Sequence, residues 1–205
     1  MTNKVLLIGD VHGYVERYNE ILNNAFVEGI NDTIQLGDFG FQKQHDWFIE
    51  NVHVGNHKIL FGNHDYYPYL DKPYSLGNFG YIEEYDLFYI RGAWSIDYRY
   101  RVLGRDLFEN EELNIQESNE CIQLYKEIKP KYVISHDCPL MVYPSVITNT
   151  GKIRNSSTPR LLDELFRTHR PEEWYFGHHH NSKTINMNNT KFQCLNELET
   201  YILEV

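Results

Sequence analysis

Val5-Leu6-Leu7-Ile8-Gly9-Asp10-Val11-His12-Gly13 places an aliphatic run directly before a glycine, a carboxylate and a histidine. A short aliphatic run bounded by glycine reads as a buried strand, and the polar residues after it fall where the strand ends. The same grammar recurs along the chain. Thr33-Ile34-Gln35-Leu36 leads into Gly37-Asp38, and Lys58-Ile59-Leu60-Phe61 into Gly62-Asn63-His64-Asp65. Tyr132-Val133-Ile134 leads into Ser135-His136-Asp137, and Trp174-Tyr175-Phe176 into Gly177-His178-His179-His180. Functional groups of an open α/β sheet collect at the carboxyl ends of its strands. The pattern therefore predicts two Asp, one Asn and several His converging on one spot, a donor set suited to a two-metal hydrolytic centre.

Between these segments, Val15, Tyr18, Leu22, Ala25 and Phe26 recur at helical spacing and Gly29 supplies a stop. A second helix is predicted over residues 43–52 with Trp47 and Phe48 inward. The first 65 residues thus read β-α-β-α-β, the signature of a layered α/β domain. Residues 66–90 are Tyr-rich and broken by Pro68, Pro73, Gly77 and Gly80, with strands at Tyr81-Ile82 and Leu87-Phe88-Tyr89-Ile90. Asn114 and Glu117 form a capping-box pattern that opens a helix through Ile128, ended by Pro130. Another helix starts at Thr158-Pro159 and buries Leu161, Leu162, Leu165 and Phe166. Stretches near 183–187, 190–195 and 200–205 read as antiparallel strands, two of them joined by an Asn188-Asn189 turn. No repeat, low-complexity linker or boundary divides the chain, so one domain is expected over residues 1–205.

Composition narrows the function classes. Apolar content of 41% and charged content of 23% are those of an ordinary soluble globular protein. A net charge of −10 argues against bulk nucleic-acid binding through a broad basic surface. It leaves room for a phosphorylated small molecule or a nucleotide, because bound cations would reverse the local field. The N-terminus lacks a signal-peptide pattern, and no run of about 18 apolar residues offers a membrane span. Cys121, Cys138 and Cys194 form neither a zinc-type pair nor a disulfide framework, which fits the reducing cytoplasm. Cys138 reads as a small buried residue in a strand-to-loop turn.

Two adjacent cations need a bridging carboxylate. Asp38, alone at the end of its strand, is the natural bridge. Asp10 and His12, two apart in extended chain, can chelate one ion. Asn63, His136 and one of the last histidines can complete the other. His178 and His180 also have period-two spacing, so both can face the centre while His179 faces away. Oxygen and nitrogen donors favour Mn²⁺, Fe or Zn²⁺ without choosing among them; Mn²⁺ is the first expectation. His45, His53, His57, His169 and His179 read as satisfied structural histidines. Asp137 reads as a loop-capping residue. For Asp65, orientation of His64 and capping of the following turn are both open.

The ordered blocks D-x-H, G-D, G-N-H-D, S-H and G-H-x-H, spread over residues 9–180, closely resemble the calcineurin-like metallophosphoesterase superfamily. The resemblance implies a four-layer α/β architecture, two packed mixed β-sheets flanked by helices. Carried over by position, one metal would be held by Asp10, His12, Asp38 and His180. The other would be held by Asp38, Asn63, His136 and His178. His64 would stand unligated beside them, with Asp65 counted as its catalytic companion. The implied reaction is hydrolysis of phosphodiester or phosphomonoester bonds by a metal-bound hydroxide, with His64 assisting at the phosphoryl group and leaving oxygen.

The flanking residues modify this picture. The opening Gly-Asp-Val-His-Gly resembles the Ser/Thr phosphoprotein phosphatase branch, whose second block continues G-D-x-V-D-R-G. Here it reads Gly37-Asp38-Phe39-Gly40-Phe41-Gln42, so a His-orienting Asp is replaced by Phe41, expected to be unable to orient a histidine. Gln42 replaces a phosphate-gripping Arg, which weakens the protein-phosphatase alternative. Arg91-Gly92-Ala93-Trp94-Ser95-Ile96-Asp97, followed by Arg99, Arg101 and Glu111-Glu112-Leu113, looks like a block of small bacterial and phage-type metallophosphoesterases. Arg99 and Arg101 from this block, and Arg154 from the polar stretch 148–160, are candidate substrate-phosphate contacts. A non-catalytic metal-binding scaffold of the same fold is the remaining alternative, opposed by the retention of every ligand and of His64.

Overall fold

A computed structural model of the chain describes residues 3–53, 55–146 and 156–205. The leading run forms β1 (Lys4–Ile8), followed by α1 (Val15–Val27), β2 (Asp32–Gln35), α2 (Gln42–Asn51) and β3 (Asn56–Ile59). β4 (Phe79–Ile82) and β5 (Leu87–Ile90) precede α3 (Ile115–Ile128) and β6 (Tyr132–Ser135). After the short α4 (Tyr143–Val146) come α5 (Thr158–Thr168), β7 (Glu173–Phe176), β8 (Lys183–Met187), β9 (Thr190–Cys194) and β10 (Thr200–Glu204).

One sheet has the order β10-β1-β2-β3, with β10 antiparallel to β1 and the other pairs parallel. The second has the order β4-β5-β6-β7-β9-β8, parallel at its centre, with antiparallel β4 and β8 at its two edges. The strand period of two sorts their side chains. Val5 and Leu7 of β1 face Tyr132 and Ile134 of β6 and Tyr175 of β7 in the core between the sheets. Leu6 and Ile8 face the opposite way, onto Val15, Tyr18, Leu22 and Ala25 of α1 and Phe48 of α2. On the far side, Val133, Trp174, Phe176 and Phe192 pack against Cys121 and Tyr125 of α3 and Leu162, Leu165 and Phe166 of α5. The result is helix, sheet, sheet, helix, the expected α/β arrangement of two mixed sheets flanked by helices.

Local signals account for the element ends. Asn114 and Glu117 make a reciprocal capping box at α3, and left-handed Lys129 closes it ahead of Pro130. Pro159 lies in the first turn of α5. Asn188 and Asn189 both have positive φ, the conformation a two-residue hairpin demands. Two apolar expectations differ. Phe26 is exposed, because it lies one step off the stripe formed by Val15, Tyr18, Leu22 and Ala25. Trp47 is only half-buried, whereas His45 and Phe48 form the inner face of α2.

Leu7 is fully buried between the sheets, while Ile202 on the edge strand is exposed. Leu7→Ala is expected to lower the unfolding free energy by about 2–5 kcal/mol, and Ile202→Ala by about 0.5 kcal/mol or less. Urea unfolding of the two variants checks the difference; equal losses would contradict an inter-sheet core at Leu7.

Candidate metal centre

The strand-end loops are tight turns rather than continuations of the strands. His12, Asp38, His178 and His180 all have positive φ, between 45° and 63°. Non-glycine residues in this region are strained and tend to occur at functional sites. The expected extended path through residues 10–12 and 178–180 is therefore absent, although the side chains meet as that path predicted. Neighbouring glycines make the approach possible. A β-carbon on Gly62 would collide with the Asp38 carboxylate and the His136 ring, and one on Gly177 with Asp10.

Asp10, His12, Asp38 and His180 bring one potential ligand atom each to within 4.8 Å of one another, as do Asp38, His136 and His178. Asp38 belongs to both groups and divides its oxygens between them. Its Oδ1 is 3.2 Å from His136 Nε2, and its Oδ2 is 3.7 Å from His12 Nε2. In the first group His180 Nε2 lies 3.2 Å from Asp10 Oδ2 and 2.8 Å from His12 Nε2. In the second, Asn63 Oδ1 lies 3.3 Å from His136 Nε2. The His178 N–H donates to Asp10 (3.0 Å), and the His64 N–H to Asp38 Oδ1 (2.7 Å).

These donors fit cations. His136 Nδ1 donates to the Leu36 carbonyl at 2.7 Å, an acceptor-only partner that fixes the tautomer. In the neutral ring Nε2 is then a bare lone pair facing the oxygens of Asp38 and Asn63, so a positive charge is required among the three. Protonation satisfies that demand in the free protein. Burial pulls the His136 imidazole down, but the Asp38 charge outweighs it and lifts the group to about 10. Burial pushes the Asp10 carboxyl up, yet His12 and His180 hold it at about 2. Burial, with His136 nearby, holds His178 down at about 4, leaving a neutral donor.

His64 sits beside these groups in its own setting. Arg101 Nη2 bonds its Nε2, and because a guanidinium only donates, the His64 proton resides on Nδ1. The Phe41 ring lies 5.8 Å from the His64 ring at 32°, and the Arg101 guanidinium lies 5.9 Å over Phe41. The Phe41 side chain, which has no hydrogen-bonding group, thus lies beside the His64 ring, and the side-chain hydrogen bond to that ring comes from Arg101. Burial and the Arg101 charge lower the His64 imidazole. Arg99 is turned outward, its Nε donating to the Tyr98 hydroxyl at 3.1 Å. Arg154 lies outside the described residues.

Asp65 serves neither task considered for it. Its Oδ2 accepts from the N–H groups of Asp38 (2.8 Å) and Gly62 (2.6 Å), and its Oδ1 from Phe39 (2.9 Å) and His45 Nε2 (3.0 Å). It is a fully buried clamp between the Asp38 and Asn63 loops. His45, whose other ring nitrogen meets the Tyr74 hydroxyl at 3.0 Å, backs the clamp. Asp137 caps the Cys138 N–H and also bonds His179 (3.0 Å) and Tyr143 (2.5 Å). Asp137, Cys138 and His179 form a third close group, behind the first two. Glu197, 3.4 Å from His180 Nδ1, carried no motif that could have marked it.

A model of the calcineurin-like phosphoesterase family matches residues 3–182. The chain belongs to that family, and is thereby a metallophosphoesterase, a hydrolase acting on phosphoester bonds, from a family with dinuclear metal centres. No curated protein matches it. Similar solved structures include TT1561 of Thermus thermophilus, 14% identical with TM-score 0.57, covering 97% of this chain and 91% of that one. A dimetal phosphatase from Danio rerio is 12% identical with TM-score 0.61, covering 96% and 88%. GAP50, the anchor in the inner membrane complex of Plasmodium, is 12% identical with TM-score 0.55, covering 98% and 78%. At these identities the likeness is one of fold. Among the described residues no helix is long and apolar enough to cross a membrane.

Asp65→Asn keeps the shape of the clamp but turns an NH₂ group toward backbone N–H donors in either orientation. An expected loss of about 3 kcal/mol of stability follows, read as a lower urea midpoint. An unchanged midpoint would contradict the clamp.

Proposed function

We propose that this chain is a dinuclear metal-dependent phosphoesterase acting on a phosphodiester or phosphomonoester of a small molecule or nucleotide. The observation that carries the reading is the division of the Asp38 oxygens between two His-containing groups. Asp10, His12, Asp38 and His180 would hold one ion, and Asp38, Asn63, His136 and His178 the other. Mn²⁺ is the first choice, with Fe and Zn²⁺ compatible with the same donors. Two ions held there supply an activated water and offset charge on the phosphoryl oxygens.

The chain's own groups do the rest. His64, neutral and protonated on Nδ1, offers that proton toward the leaving oxygen, a role worth about 10²–10⁴-fold. Arg101, whose Nη groups already donate to His64 and to the carbonyls of Asn63 and Asp106 and pair with Asp97, would hold His64 in place rather than grip a phosphoryl oxygen. A cleft of about 590 Å³ is lined by Phe41, whose ring centroid lies 5.8 Å from that of His64, and by Gln44, Trp47, Tyr66 and Arg105. Aromatic walls and an amide suit a planar leaving group such as a nucleoside. Phe41 and Gln42, where the phosphoprotein phosphatase branch has Asp and Arg, speak against a protein phosphatase. Three buried free thiols support a reducing, cytoplasmic setting.

Metal analysis with hydrolysis of bis-p-nitrophenyl phosphate and p-nitrophenyl phosphate in Mn²⁺ tests the reading. Diester cleavage supports it, monoester-only cleavage restricts it to phosphatase action, and two bound ions without turnover on either favour a scaffold. His64→Ala is expected to retain both ions and lose turnover about 10²–10⁴-fold; full activity at neutral pH would remove His64 from the mechanism. Asp38→Ala is expected to lose both ions and His180→Ala only one, as measured by metal content after dialysis. In the cleft, Trp47→Ala should lower kcat/KM for a dinucleoside phosphodiester about tenfold and leave a glycerophosphodiester within about twofold. An equal effect on both would remove the cleft from substrate recognition.

A further inference from the structure

Behind Asn63 and His64 stand two buried groups, Ser95 and Glu111, to which phosphoester chemistry assigns no task. Asn63 Nδ2 donates to Ser95 Oγ (3.4 Å), and the Ser95 hydroxyl donates to Glu111 Oε2 (2.5 Å). Glu111 Oε1 accepts the Phe108 N–H (3.0 Å) and lies 3.9 Å from Arg101 Nη1. Arg101 in turn donates to the Asn63 carbonyl (2.7 Å) and pairs with Asp97 at 2.8 Å. Ser95 and Glu111 are 1% and 4% exposed.

The Glu111 side chain is aimed inward by its backbone. The buried Arg91 guanidinium donates to the carbonyls of Asn110 (2.7 Å) and Glu111 (3.4 Å) and to Asn78 Oδ1 (2.8 Å). The Tyr67 hydroxyl also donates to the Glu111 carbonyl at 2.9 Å. Arg91 and Glu111, from the first and last parts of the Arg91 to Leu113 block, are thus tied to each other through the backbone.

The direction of the hydrogen bonds is decisive. A terminal amide can face either way, but only its oxygen can ligate a cation. Burial lifts the Glu111 carboxyl to about 7, so at pH 8 it is an acceptor. Ser95 has one proton, and that carboxylate takes it. Ser95 Oγ can then only accept from Asn63, which turns Nδ2 toward Ser95 and leaves Oδ1 on the His136 side, 3.3 Å from Nε2.

We propose that Ser95 and Glu111 are positioning residues: by taking the Ser95 proton, the Glu111 carboxylate makes Asn63 present its oxygen to the metal centre. The same carboxylate tethers Arg101 beside His64. This rests on the dinuclear reading above, and outer partners of metal ligands are generally worth about 10–100-fold in metal affinity.

The test is calorimetric Mn²⁺ titration at pH 8 of the full chain and of Ser95→Ala and Glu111→Gln, with urea unfolding alongside. Glu111→Gln keeps the volume but can donate to Ser95 Oγ, freeing the hydroxyl to turn the amide round. Both variants are expected to weaken one binding step about 10–100-fold and leave the other within about twofold. Asp97→Asn, which removes only the Arg101 ion pair, should leave both steps unchanged. Unchanged steps in both Ser95→Ala and Glu111→Gln overturn the proposal. So does equal weakening of both steps with a lowered urea midpoint, which marks general damage. Wild-type protein binding fewer than two ions would sink the dinuclear reading and this one with it. Two ions without diester turnover would sink only the catalytic assignment.

Discussion

The Asp38 carboxylate carries a negative charge into the interior and holds it there by division, one oxygen toward His136 and the other toward His12. An isolated buried carboxylate is costly and would neutralise by taking a proton. Burial pushes Asp38 that way, but the His136 charge outweighs it and holds the group well below the usual carboxylate range. The backbone follows from this requirement. Asp38 adopts a left-handed conformation, and its N–H is taken by Asp65 while its side chain accepts the His64 N–H. Two carboxylates thus organise the same pair of loops: Asp65 gathers the N–H groups on the closed side, and Asp38 faces the imidazoles on the open side.

That arrangement makes the site a seam between the two sheets. Asp10, Asp38 and Asn63 follow β1, β2 and β3, whereas His136 and His178 follow β6 and β7. The bonds across the seam are themselves polar. His136 Nδ1 reaches the carbonyl of Leu36 beyond β2, and the His178 N–H reaches Asp10 beyond β1. Apolar burial between the sheets sets their separation, while these bonds set the lateral register of one sheet's loops against the other's. Small displacements of the sheets would therefore change the distances at Asp38, which couples packing of residues such as Leu7 and Ile134 to the chemistry of the edge.

Much of this was legible because it is local. Strand runs ending in glycine and a ligand, the Asn114 capping box and the Asn188-Asn189 turn each depend on a few consecutive residues, and each formed as its chemistry required. The converging side chains were also readable, but the chain brings them together through left-handed turns and not through extended period-two alternation. Positive φ at His12, His178 and His180 depends on bonds to distant loops, which spacing alone does not encode. The same holds for Asp65, paired with His45 from a helix 20 positions away, and for Ser95 with Glu111. Polar side chains choose partners through the tertiary fold, so their roles could be framed from the sequence only as open alternatives.

Phe41 shows how a half-buried histidine can be flanked by a ring instead of a carboxylate. An Asp in that place would hold a histidine by charge and favour its imidazolium form. The Phe41 ring lies beside His64, and Arg101, whose guanidinium is 5.9 Å from the Phe41 centroid, bonds the same histidine at Nε2. Both partners act in one electrostatic direction: an aromatic wall excludes water and a guanidinium repels positive charge, so His64 is kept neutral. Because Arg101 is itself fixed by Asp97, Glu111 and the Asn63 carbonyl, the orientation of His64 is tied to the loop that carries a candidate metal ligand. His64 is thus held through a longer network, in which Asp97, 2.8 Å from Arg101, supplies a negative charge at one remove.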